Sequence, residues 1–231
     1  MKKEVRSIEQ IVDEQLSKWS IRFKEGKSEV VEAKPFITIS REPGTSGPEI
    51  ARRLSNQLKM ELFAGQIAKQ LAESAHVDEK AVRSIIEKAL TKRDDWLTSL
   101  FESRHLWPDK FLYHLNKVIS TIKNHGNAVI LGLGAQYILP PEKTFRVRLI
   151  GSLESRIKRI MDARGSSRQV AEKYVTATET DRRVFIQKFF KADSTNPYDY
   201  DLIINMDTMS VDGAVETIIT AFEVWKKAKS T

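Results

Sequence analysis

The stretch Phe36-Ile-Thr-Ile-Ser40-Arg-Glu-Pro-Gly44-Thr-Ser-Gly47-Pro-Glu-Ile-Ala-Arg-Arg-Leu54 reads as a buried strand, a glycine turn and a helix opening in immediate succession. Phe36 to Ile39 has the apolar, β-branched bias of a parallel strand, and Ile50, Leu54 and Leu58 recur at helical spacing. Between them Gly44 and Gly47 permit close backbone approach. Pro48 suits the first helical turn, where no amide donor is needed, and Ser46 is predicted to cap the helix with Glu49 as its capping-box partner. Unpaired N–H groups and the positive helix end then point at one spot, which suits an anion.

The full phosphate-loop pattern, G-x-x-x-x-G-K-[ST], adds a lysine for the β- and γ-phosphates and a hydroxyl for magnesium. With Gly47 as the last glycine, Pro48 stands at the lysine position and Glu49 at the hydroxyl position, so both groups are missing. A glycine turn between strand and helix also serves plain βα connections. The rest of the chain has to separate the two readings.

From residue 36 onward strand and helix patterns alternate, as in a parallel sheet covered on both faces. Helical segments are predicted near 65 to 75, 78 to 92 and 109 to 125. Ala128-Val-Ile-Leu131 is a short buried strand ending in Gly132-Leu-Gly134-Ala-Gln136; Phe145-Arg-Val-Arg-Leu-Ile150 alternates apolar and basic residues; Asp201-Leu-Ile-Ile204 is a last buried strand. Ligands in such sheets bind beyond the carboxyl ends of the strands, so the turns at 41–47, 132–136, 151–152 and 205–207 are expected to converge. Residues 1–34 are expected to form a separate amphipathic helical extension, with Ile8, Ile11, Val12, Leu16 and Trp19 on one face, whose apolar stripe would dock on its own domain, make a homodimer contact or touch a partner.

Between Leu153 and Phe190 arginines and lysines are dense, yet a charge run is usually a solvated helix face. Arg182-Arg183 has a different setting, with Glu179 and Asp181 before it and Phe185, Phe189 and Phe190 after it as aromatic anchors. Phosphoryl transfer needs fixed positive charge around the moving group, and arginines on a hinged helical arm supply it while excluding water.

Composition narrows the class. The chain has 231 residues, 41% of them hydrophobic, which is enough for a substantial core. It has no cysteine, which excludes disulfides and thiolate metal sites. No apolar run reaches the ~18 residues of a membrane helix, and a cytoplasmic address is expected. The net charge of +7 favours polyanionic partners. His76, His105, His114 and His125 lack metal-ligand spacing, so no protein metal site is expected.

Three strings carry a resemblance: Ile37-Thr-Ile-Ser-Arg-Glu42 with Gly44 and Gly47; Val129-Ile-Leu-Gly-Leu-Gly-Ala135 with Tyr137-Ile-Leu139; and Tyr200-Asp-Leu-Ile-Ile-Asn205 with Asp207 and Ser210. In this order and spacing they resemble the cytidylate kinase-like family, a nucleoside monophosphate kinase branch of the P-loop kinases, over residues 36 to 222. The resemblance implies an α/β, P-loop NTPase-like three-layer fold over residues 35–231. It has a five-stranded parallel sheet, a helical acceptor-binding insert at about 62–125 and a helical lid at about 165–198. ATP, Mg2+ and a nucleoside monophosphate acceptor of the CMP or dCMP type come with it.

Carried over by position, Gly44, Thr45, Ser46 and Gly47 hold the donor phosphates together with Arg41, and Arg164 clamps the donor base. Arg182, assisted by Arg183 or Arg156, is the catalytic cation of the lid, while Gly132, Gly134 and Gln136 face the acceptor. Leu133 stands where the family often has arginine, and Ala64-Gly65 where an acidic residue is usual. With the absent lysine, these departures motivate an alternative, a catalytically weak or inactive nucleotide-binding regulator. A nucleic-acid-binding module is the third reading, opposed by Glu154, Asp162, Glu172, Glu179 and Asp181, which interrupt the basic segment.

Overall fold

The computed structural model describes residues 34–64, 119 and 126–229. The expected N-terminal helix and its dimer contact, the helical segments of the insert and all four histidines lie outside the described residues, apart from Ile119.

Phe36–Arg41 forms β1, whose apolar residues are buried from both sides, as a strand covered on both faces requires. It pairs in parallel with β3 (Ala128–Leu131) on one edge and β4 (Thr144–Ile150) on the other. β2 (Glu61–Phe63) extends the sheet beyond β3, and β5 (Leu202–Asn205) beyond β4. The order is β2-β3-β1-β4-β5, so β1 is central and the chain winds out from it to either side.

Strand periodicity divides the core. Ile37, Ile39, Val129, Leu131, Phe145, Val147 and Leu149 face α1 (Gly47–Leu58) and a long C-terminal helix, Val211–Lys229, through Ile50, Leu54, Val215, Ile218 and Phe222. Phe36, Ala128 and Ile130 face the opposite way and pack with Ile119, Leu133, Leu139, Phe185 and Ile186.

The basic segment is two helices, α2 (Leu153–Arg164) and α3 (Arg168–Phe190); the C-terminal helix is α4. Gly165, at φ +61°, ends α2 with its N–H donating to Met161, and Ser167 caps α3 by accepting from Val170 N–H. The two helices pack through Ile157, Ile160, Ala171 and Val175.

Two sequence expectations are corrected. Ser46 is left-handed, φ +57°, and its side chain makes no cap bond. A side-chain cap needs an extended residue at that position, whereas the turn from Gly44 into Pro48 forces the opposite hand. Glu49 consequently turns to Arg53, with an Oε1 contact of 3.1 Å from Nε. The last strand begins at Leu202, one residue later than its pattern suggested, because the Asp201 carboxylate accepts from the Arg146 backbone N–H at 2.8 Å.

Candidate functional site

The carboxyl ends of β1, β3 and β4 open into a cleft roofed by α3, at the point where the winding of the sheet diverges from β1. Its space of about 640 Å³ is continuous with solvent. Arg41, Arg148, Arg182 and Arg183 line it against the carboxylates of Glu42 and Glu179, so guanidinium groups predominate. The Gly132–Gly134 turn supplies the facing wall.

Each side chain is placed by a distinct element. Arg41 closes β1 and runs between two glycines: its Cγ lies where a Cβ of Gly47 would come within 2.9 Å, and its guanidinium lies over Gly132. Arg182 reaches down from α3 and donates from Nη1 to the Arg41 carbonyl at 3.1 Å, tying the helical arm to the end of β1. Glu42 is a hub. Its Oε2 accepts from Gly151 N–H at 3.0 Å and its Oε1 lies 3.4 Å from Arg148 Nη2. Arg156 approaches the same carboxylate at 3.5 Å.

Six of the residues singled out from sequence meet at this cleft: Arg41, Gly132, Gly134, Gln136, Arg182 and Arg183. The glycine loop forms the flank instead. Gly44, at φ +84°, approaches the Arg156 backbone so closely that a Cβ would stand 2.6 Å from its carbonyl oxygen. The Thr45 hydroxyl is buried and donates to Glu42 O at 2.8 Å, and the Ser46 carbonyl accepts from the N–H groups of Glu49 and Ile50. Arg156 stands behind the wall, donating to Gly151 O and to Glu179, both at 2.9 Å. Arg164 lies over the Tyr174 ring, 3.7 Å from its centroid.

Sequence reading missed Ser40, Glu42 and Arg148 as lining residues. For Arg148 a signal existed: a basic residue inside a strand otherwise written for burial.

Aromatic packing anchors the arm as its pattern suggested. Phe190 stacks on Tyr137 with centroids 5.2 Å apart, and its ring lies on Gly134, where a Cβ would be 2.2 Å away. Burial first, then the neighbouring Tyr200 and Asp199, pushes the Tyr137 phenol well above its usual range. It therefore stays protonated and donates to Asp199 at 2.9 Å. Near the cleft rim Asp193 is held below the usual carboxylate range, chiefly by the N–H and hydroxyl of Thr195, with Arg183 and Arg148 adding to it. Asp207, after β5, is lowered mainly by the Ser152 N–H, so it serves the turn.

Among the described residues, no group of three or more acidic, histidine or cysteine side chains is arranged to hold a metal ion. Nor is any helix long and apolar enough to cross a membrane.

The parallel sheet, its covering helices and the basic cleft at its carboxyl end define an α/β fold of the P-loop kinase type. The chain belongs to the cytidylate kinase-like family, whose profile matches residues 36–208. Membership puts it among the nucleotide kinases, a class of phosphotransferases. A cytidylate kinase from Archaeoglobus fulgidus is 25% identical over 191 residues, spanning 82% of this chain and 96% of that protein. An uncharacterized protein from Eubacterium ventriosum shares the fold with a TM-score of 0.60 and 20% identity, over 83% of this chain and 99% of that one. A gluconokinase from Sinorhizobium meliloti does so with a TM-score of 0.50 and 10% identity, over 85% and 94%.

Proposed function

We propose that this chain moves the γ-phosphoryl group of ATP to a nucleoside monophosphate of the CMP or dCMP type, or to a related small acceptor. The observation that carries this reading is the meeting of Arg41, Arg182 and Arg183 with the Gly132–Gly134 turn around one cleft of a nucleotide-kinase fold.

The work is division of charge. The backbone amides of Gly44 to Gly47 hold donor phosphate at the start of α1, with Thr45 and Ser46 contributing main chain rather than hydroxyl. Arg41 brings to the end of β1 the cation that Pro48 cannot supply. Arg182 neutralises the γ-phosphoryl oxygens as the group moves, Arg183 assists, and Gly132, Gly134 and Gln136 meet the acceptor. Arg156 acts by position, since its guanidinium is bonded to Gly151 and Glu179. Arg164 at the end of α2 lies over Tyr174 and does not line the cleft, so it would have to leave that ring to clamp the donor base. The carboxylates of the cleft, Glu42 and Glu179, are both engaged with arginine, so this donor set builds no protein cage for magnesium. Magnesium fits as a companion of the nucleotide, held by phosphate and water, where it offsets phosphate charge. A cytoplasmic address accords with the cysteine-free chain.

The test is product formation from MgATP and a panel of CMP, dCMP, UMP and AMP, read as ADP and the nucleoside diphosphate. Selective turnover of one pyrimidine monophosphate is expected. Nucleotide binding without turnover across the panel overturns the kinase reading in favour of a regulator.

A further inference from the structure

We infer that Arg148 binds the phosphate of the acceptor on the floor of the cleft, an inference that rests on the kinase reading above. Arg148 lies on β4 beside Ser40 of β1 and is only 7% exposed. A buried guanidinium requires close, well-directed partners. Those available are mostly long: Nη1 is 3.2 Å from Ser40 Oγ, at the upper end of a normal bond, and 3.5 Å from the Tyr200 hydroxyl, Nη2 is 3.4 Å from Glu42 Oε1, and the Tyr200 ring centroid is 5.5 Å from Cζ. Normal N–H···O bonds run from about 2.7 to 3.2 Å. Glu42 is moreover divided between Arg148, Arg156 and the Gly151 N–H.

Arg146, two residues earlier on the same strand, shows what a satisfied arginine looks like here. It forks onto Asp201 with contacts of 2.9 and 3.1 Å, away from the cleft. Arg148 instead lines the cleft with Arg182, Arg183 and the Gly132–Gly134 turn. A phosphate monoester supplies the oxygens its planar fork lacks, bidentately. Gly44 to Gly47, the proposed donor-phosphate loop, flank this space without lining it, so the donor enters from the side of Arg41 and the floor at Arg148 is left to the second substrate.

Steady-state kinetics of the full chain with MgATP and CMP, dCMP, UMP and AMP test this, comparing wild type with Arg148→Met, Arg148→Lys and, as a control, Arg146→Met. The expected result is an acceptor KM raised about tenfold or more in Arg148→Met with the ATP KM within about twofold of wild type. Arg148→Lys, which keeps charge but loses the fork, should recover part of the loss, and Arg146→Met should leave acceptor KM unchanged. An active wild type whose acceptor KM does not move in Arg148→Met overturns the inference while sparing the kinase reading. Should the methionine variant not fold, an unmoved acceptor KM in Arg148→Lys decides in the same way. A wild type that converts none of the four acceptors overturns the kinase reading and this inference together.

Discussion

The Arg41 guanidinium occupies the space that a side chain on Gly132 would need: a Cβ there would stand 2.1 Å from one of its terminal nitrogens. Glycine at 132 thus lets an arginine from β1 lie across the turn after β3. Gly132 also sits at φ +79°, where an L-residue is strained. The Gly132→Ala variant is expected to lose about 1–2 kcal/mol of stability from the backbone alone. Because the obstructing atom is the end of a flexible side chain, Arg41 moves aside, and ATP affinity should fall more sharply than stability. Denaturant titration beside an ATP binding isotherm checks this; an undisturbed isotherm refutes the placement of Arg41 at donor phosphate.

Arg182→Ala tests the arm. Its guanidinium touches the end of β1 from a separate helix, and a donor that acts on charge developing in the transition state is worth about 3 kcal/mol, or roughly a hundredfold in rate. Turnover should drop by that order with ATP binding little changed. A turnover number equal to wild type disposes of the role.

Arg156→Ala should instead act on stability. Arg156, buried at 6% exposure, joins Gly151 of the β4–α2 turn to Glu179 of α3 through its guanidinium, and removing it leaves Glu179 and Glu42 without a shared buried partner. A loss of about 3 kcal/mol is expected, read from the denaturation midpoint. A variant as stable as wild type removes Arg156 from this structural role.

Phe190→Ala removes the ring that fills the space over Gly134 and stacks on Tyr137. For a half-buried phenylalanine a loss of about 2–3 kcal/mol is expected, below the range for a full core position. Protease should then cut within α3 sooner than in wild type, since its aromatic end ties it to the sheet. Equal cleavage rates would show that the tie lies elsewhere.

Asp207 gives a pH dependence with a definite sign. The Ser152 N–H lowers its folded value below the ordinary 3.8, so the carboxylate's contribution is present above that value and is lost as pH falls through the lowered one. Comparing denaturation of wild type and Asp207→Asn between about pH 6 and pH 3 should show their stability difference shrinking toward the acid end. A difference that grows on acidification contradicts the assignment.

The sequence by itself determined the layered α/β fold. Runs such as Phe36–Ile39 and Ala128–Leu131 are apolar on both strand faces, and only a sheet covered from both sides hides them. It also determined the turns of the cleft, because Gly132 and Gly134 carry positive φ that glycine adopts without strain. The arm's aromatic anchor was legible in Phe185, Phe189 and Phe190. Tertiary structure alone decided which arginines meet. Residues 41, 148 and 182 are far apart along the chain and belong to two strands and a helix, and parallel register with helix packing brings their charges to one place. The same long-range packing drew Arg156 behind the wall and put Ser46 in a left-handed turn, because neither close approach nor a shared carboxylate is written in local periodicity.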